Sequence, residues 1–213
     1  MKNTDLGTLI DQMSTNPELW GMGHNQNFDT LDLGLGWLYY GLARSTKPRR
    51  VVVIGSWRGF VPLIIGQALE DNQSGELIFI DPSYVDDHWT QNVDAYFTGY
   101  GIHCICHHRM TSEEFVESQD FQKLEVDMLF IDGMHTYSQC KFEFESFYSK
   151  LASNFTVLLH DSTSKIKSNL YGKGHEYEHS VWKLIEELQE RVDLSVIQIP
   201  VDQGIAIIKP RLV

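Results

Sequence analysis

The sequence predicts an open α/β fold, with a mostly parallel sheet, helices on both faces and an antiparallel hairpin at the end. Three observations carry that expectation. From Pro48 onward, short β-rich runs alternate with helical stretches. Those runs are apolar throughout, as strands buried on both faces must be. The last two, LSVIQIP and GIAIIKP, are joined through a short link containing Gly204, which suits a hairpin.

Each element has its own signal. Residues 1–47 form an N-terminal helical or lid segment ahead of a domain spanning 48–213. Within that segment DTLDLGLGWLYYGLA reads as a helix, and LWGMGHNQNF reads as an irregular partial lid. VVVIG (51–55) is the first strand, and GFVPLIIGQALE the helix behind it. ELIFID (76–81) is the second strand, followed by a helical stretch through DDHWTQNVDAYFTGYG that stops on a glycine. IHCICHH is the third, and TSEEFVESQ opens a short helix that Thr111 or Ser112 can cap. VDMLFID is the fourth strand, TYSQCKFEFESFYSKLA a long helix, and FTVLLHD (155–161) the fifth strand. HSVWKLIEELQERV is the helix before the terminal hairpin.

Composition narrows the function. A length of 213 residues suits one substantial core. The net charge of −12 argues against a nucleic-acid partner, which would need a basic footprint. No apolar run is long enough to span a bilayer. The start, MKNTDLGTLIDQM, lacks the pattern of a secretory signal. Cys104, Cys106 and Cys140 match neither zinc spacing nor a disulfide framework, so reduced thiols in a cytoplasmic protein are expected.

The candidate site lies at the strand ends. Gly55 allows a sharp turn after the first strand, and Gly59 lets the next helix pack closely. Between them Ser56 and Trp57 present backbone N–H groups to the crevice. An indole at position 57 disfavours a pyrophosphate and suits a nucleoside ligand without one. Asp81, at the end of the second strand, is placed to accept hydrogen bonds from both ribose hydroxyls. Asp132 closes the fourth strand in FIDGMH, and His160 and Asp161 close the fifth in LLHDS. Two neighbouring carboxylates repel unless one is protonated or a cation lies between them, and Mg²⁺ answers that need. His160 is either a further ligand, which would favour a transition metal, or the group that orients Asp161. His135, three residues past Asp132, has the proton affinity of a general base.

FIDGMHTYSQCKFEFE, LLHDS, HSVWKLIEEL and GIAIIKP together resemble class I S-adenosylmethionine-dependent methyltransferases. The group they resemble is that of the macrocin O-methyltransferases and cephalosporin-hydroxylase-like proteins. GSWRGF also looks like the glycine turn of catechol O-methyltransferases. The resemblance covers about residues 48–210 and implies a Rossmann-like fold with a seven-stranded, mostly parallel sheet. It implies that Gly55, Ser56, Trp57 and Gly59 line the cofactor and that Asp81 binds its ribose. Asp132 would serve both the cofactor and Mg²⁺, Asp161 would hold the metal, and His135 would be the base. Two positions depart from the pattern: Val53, where relatives often carry an acid, and Ser153-Asn154, where they carry a Gly-Gly turn.

The expected activity is methyl transfer from S-adenosylmethionine to a hydroxyl of a small molecule, such as a sugar or natural product. A non-catalytic nucleoside- or metal-binding protein of the same fold is the alternative, with an NAD-dependent oxidoreductase third. The aromatic run DLGLGWLYYGL can also bury against a second subunit in a homo-oligomer. The choice of acceptor falls to the N-terminal segment and the loop 163–176, which carry no readable code.

Overall fold

The computed structural model describes residues 5–172 and 174–211. Outside them lie the first four residues of the start read for a secretory signal, Lys173 of the loop 163–176, and the last two residues of the domain 48–213. The chain opens with α1 (Leu6–Met13), a 3-10 turn at Pro17–Trp20 and α2 (Gly36–Thr46). β1 (Arg50–Ile54), α3 (Phe60–Asn72) and β2 (Glu76–Ile80) follow, then a second 3-10 turn at His88–Thr90. Next come α4 (Val93–Gly99), β3 (Ile105–His108), α5 (Ser112–Val116) and α6 (Gln119–Gln122). β4 (Val126–Ile131), α7 (Tyr137–Tyr148) and β5 (Leu151–His160) come after them. A small ribbon of β6 (Lys167–Ser168) and β7 (Tyr177–Glu178) precedes α8 (Val181–Gln189), β8 (Leu194–Ile199) and β9 (Ile205–Pro210).

Seven strands form one sheet in the order β3-β2-β1-β4-β5-β9-β8. Only β9 runs against the rest, paired antiparallel with both β5 and β8. The terminal hairpin is therefore as expected. The apolar runs lack alternation because both faces are covered. Val51 and Val53 of β1, with Met128 and Phe130 of β4, pack under α1–α4. Val52, Ile54, Leu129 and Ile131 pack under α5–α8. Phe144 and Phe147 of α7 are fully buried there, each side chain contributing about 1.5–3 kcal/mol by leaving water. Leu9, Met13, Leu19 and Tyr39, all before residue 48, share the first core with Val53 and Phe130.

Several boundaries differ from expectation, each for a local reason. In DDHWTQNVDAYFTGYG the helix covers only α4, because the Asn92 side chain accepts from the Ala95 N–H at 3.1 Å and starts it afresh. The preceding turn is pinned by Trp89, stacked on Phe97 at 5.7 Å. The helix expected across DTLDLGLGWLYYGLA is α2, which starts at Gly36, not at Asp29. α7 stops at Tyr148, before Leu151, which instead joins the sheet opposite Val126. The register then shifts, and Ser153 and Asn154 stand exposed in that irregularity. Thr111, not Ser112, caps α5, in a reciprocal box with Glu114. The loop 163–176 contributes β6, which pairs with β7.

Candidate active site

The sheet changes direction between β1 and β4, and open α/β sheets bind ligands at such a point. There the turn after β1 meets the end of β4. Gly55 has φ 72°, and a Cβ on it would lie 2.5 Å from the Asp132 carbonyl oxygen. No other residue type fits that approach without moving a strand end. Beside it, Asp81 accepts from the Ser56 N–H at 3.3 Å and the Ser83 N–H at 2.8 Å. Burial pushes its carboxyl up against those two donors. Gly55, Ser56, Trp57, Asp81 and Asp132 all line one cavity of about 650 Å³. Gly59 does not line it. It caps α3, where a Cβ would lie 2.9 Å from Trp89. Val53 is fully buried in the core and does not line the cavity either.

β4 and β5 are neighbours, so Asp132 and Asp161 emerge side by side. Asp161 turns toward its neighbour from the left-handed region, at φ 56°. One donor atom from each of Asp132, His135, His160 and Asp161 lies within 4.8 Å of the other three. The acids do not face each other bare, because imidazoles stand between them. His160 Nδ1 is 2.8 Å from Asp161 Oδ2 and 3.0 Å from Asp132 Oδ1. Its Nε2 is 3.0 Å from the Gly23 carbonyl oxygen, which can only accept. Nε2 therefore carries a proton, and a neutral ring would aim the Nδ1 lone pair at two carboxylates. Either a second proton or a metal cation must occupy that point. Without metal the proton wins. Burial disfavours charge on His160, but the two carboxylates outweigh it and push the ring up to about 10.

His135 Nε2 lies 3.3 Å from Asp132 and 3.2 Å from Asp161. Neither of its ring nitrogens has a hydrogen-bond partner among the described residues. Burial works against its charge, yet the carboxylates raise its proton affinity. Burial likewise works to raise Asp132 and Asp161, but the surrounding histidines hold both well below the usual carboxylate range.

Two further histidines were not singled out in the sequence. His24 is buried, stacked on Phe60, with Nδ1 3.1 Å from the Tyr39 hydroxyl and Nε2 3.5 Å from Asp132 Oδ2. Burial, then neighbouring His160, lowers it to about 3, so it is neutral. His179 Nδ1 is 3.0 Å from both Asp161 Oδ1 and the Ser164 hydroxyl. Each acid thus turns one oxygen to the cluster and the other to an outer histidine. That is the arrangement by which outer partners fix metal ligands. His179 heads the HSVWKLIEEL run, a signal open to the sequence reader. His24 had none, because the members of the cluster it meets, Asp132 and His160, lie more than a hundred residues away.

Asp132, His160 and Asp161 fit a divalent cation, since each has its remaining polar atom fixed elsewhere. The imidazole nitrogen draws that mixed donor set toward Mn²⁺, Fe²⁺ or Zn²⁺ more than Mg²⁺.

A mostly parallel seven-stranded sheet with one antiparallel strand is the Rossmann-like fold of the solved methyltransferases this chain is similar to. The chain belongs to the methyltransferase domain family, whose model matches residues 52–162. It is 29% identical over 167 residues to the uncharacterised protein y4gI of Sinorhizobium fredii. That match takes in 71% of this chain but spans only 17% of the relative's length. The fold is similar to the O-methyltransferase TomG of Streptomyces achromogenes, solved with S-adenosylmethionine and involved in tomaymycin synthesis. The TM-score is 0.64 at 18% identity, covering 95% of this chain and 89% of that one. It is also similar to the methyltransferase PaMTH1 of Podospora anserina bound to S-adenosylhomocysteine, with TM-score 0.65 and 18% identity. That match covers 91% of this chain and 86% of the other. Among the described residues no helix is long and apolar enough to cross a membrane.

Proposed function

We propose that this chain is an S-adenosylmethionine-dependent O-methyltransferase that uses a divalent cation and acts on a hydroxyl of a small molecule. The carrying observation is that one cavity joins Gly55 and Asp81 to Asp132 and His135, at the edge of the acid–histidine cluster. The resemblance to the macrocin and cephalosporin-hydroxylase-like group, including its sugar and natural-product acceptors, belongs to this reading. So does a cytoplasmic setting, supported by three free cysteines. Residues 48–213 would be the catalytic domain. Residues 1–47 would close its site, a role supported by Met22 and His24, which line the cavity.

When bound, S-adenosylmethionine supplies a methyl on a sulfonium, and a divalent cation supplies Lewis acidity to an acceptor hydroxyl. The chain's own work is alignment and proton removal. Asp81 accepts from the ribose, and Gly55 and Ser56 leave the backbone open to it. Asp132, His160 and Asp161 hold the cation, with His24 and His179 fixing the two carboxylates. His135 takes the hydroxyl proton, since two carboxylates, 3.3 and 3.2 Å from its Nε2, stabilise its charged form.

Calorimetric titration of Mn²⁺ and Mg²⁺ into wild type and Asp161→Asn, each saturated with S-adenosylhomocysteine, tests the metal half of this reading. Wild type should bind Mn²⁺ more tightly than Mg²⁺. The variant should lose cation binding and keep S-adenosylhomocysteine. Turnover at full rate in chelator would overturn metal dependence.

A further inference from the structure

One side chain that the proposed chemistry does not use ties three segments together. Arg58, in the turn after β1, sends its Nε to Glu18 Oε2 at 2.7 Å and its Nη2 to Asp86 Oδ2 at 2.8 Å. Its side chain is 14% exposed, whereas those of Glu18 and Asp86 are 64% and 39% exposed. The charge is thus sunk between the segments, and the rigid fork of a guanidinium suits it to join two carboxylates. Its root is fixed as well, because the Tyr96 hydroxyl donates to the Arg58 carbonyl at 2.8 Å. An isolated surface ion pair contributes little to stability. An arginine shared by acids on two different segments instead sets where those segments lie.

Each partner leads to a wall of the cavity. On one side, the Ser83 N–H donates to Asp81 Oδ1 at 2.8 Å, and the Ser83 hydroxyl donates to the Asp86 carbonyl at 2.6 Å. Asp86 then takes the guanidinium of Arg58. On the other side, Glu18 lies in the 3-10 turn Pro17–Trp20, shortly before Met22 and His24, which line the cavity. Between those two, the Gly23 carbonyl accepts from His160 Nε2, and His24 itself meets Asp132. A continuous line of polar contacts therefore runs from the ribose-type acid, through Arg58, to the segment that touches the acid–histidine cluster. We infer that Arg58 is a positioning residue that couples cofactor binding at Asp81 to the docking of residues 17–25 over that cluster. The inference rests on the cofactor reading above. A ligand held on Asp81 steadies Ser83 and Asp86, and through the guanidinium it steadies Glu18. By linkage, a docked segment strengthens the ligand by the same factor.

The test is hydrogen–deuterium exchange of the full chain, read by mass spectrometry over residues 17–25 with and without S-adenosylhomocysteine. In wild type the ligand should slow exchange there about 5-fold or more, the lower end of ordinary coupling between sites. Arg58→Met keeps the stem and removes the guanidinium. It should still bind the ligand, about 5-fold more weakly by reciprocity, and show no slowing over 17–25. Glu18→Ala changes only an exposed side chain, so it should fold as wild type does, and it too should lose the slowing. Slowing that persists in either variant would make Arg58 a merely structural ion pair and overturn the inference. A wild type that binds the ligand with no change over 17–25 would also overturn it and leave the cofactor reading standing. A wild type that binds no S-adenosylhomocysteine would remove the cofactor reading together with the inference.

Discussion

His160 shows how one backbone contact can decide a side chain's chemistry. With Nε2 tied to the Gly23 carbonyl, only Nδ1 is left to face the two acids. The outer histidines act one step further back, through the second oxygen of each acid. His179→Ala is expected to lower cation affinity about 10–100-fold, the usual effect of losing such a partner. S-adenosylhomocysteine affinity should stay unchanged, and calorimetry of both ligands checks the split. On the proposed reading, His135 takes the acceptor's proton. His135→Ala should lower kcat about 10²–10⁴-fold, the ordinary share of general base catalysis. In wild type the rate should rise with pH as the imidazole loses its proton, and the variant should lack that limb. A stable variant with its rate and pH limb intact would make His135 a packing residue.

At the scale of elements, the turn from β1 into α3 and the helix α7 carry the most specific demands. Gly55→Ala places a Cβ against the Asp132 carbonyl from a left-handed backbone. It should cost about 2–4 kcal/mol, read as a shift in urea midpoint with the slope unchanged. In α7, burial pushes the Glu143 carboxyl up to about 7 from its ordinary 4.5. Between those values the folded state holds a proton that the unfolded state has lost, so stability falls as pH rises and levels off above 7. Glu143→Gln should remove that part of the slope. Melting temperatures of both proteins across the range check it, and identical slopes would contradict it.

For the whole molecule, most of the sheet was legible because strands buried on both faces cannot hide their apolar runs, and the acids ending them mark where they emerge. Asp81, Asp132 and Asp161 were readable for that reason. His24 was not, since it reaches Asp132 only once residues 17–35 dock on the sheet. Glu143 was not either, because in KFEFESF a buried acid looks the same as a solvated one. The early end of α7 escaped because Leu151 suits helix or strand, and only its partner Val126 decides. The central claim is that this sheet holds a nucleoside cofactor in the crevice between Asp81 and Asp132. The most direct measurement is calorimetric titration of S-adenosylhomocysteine into wild type and Asp81→Ala. Binding should be measurable in wild type and about 10–100-fold weaker in the variant, as loss of hydrogen bonds to a charged group requires. Equal affinity in both proteins, or no binding to wild type, would contradict it.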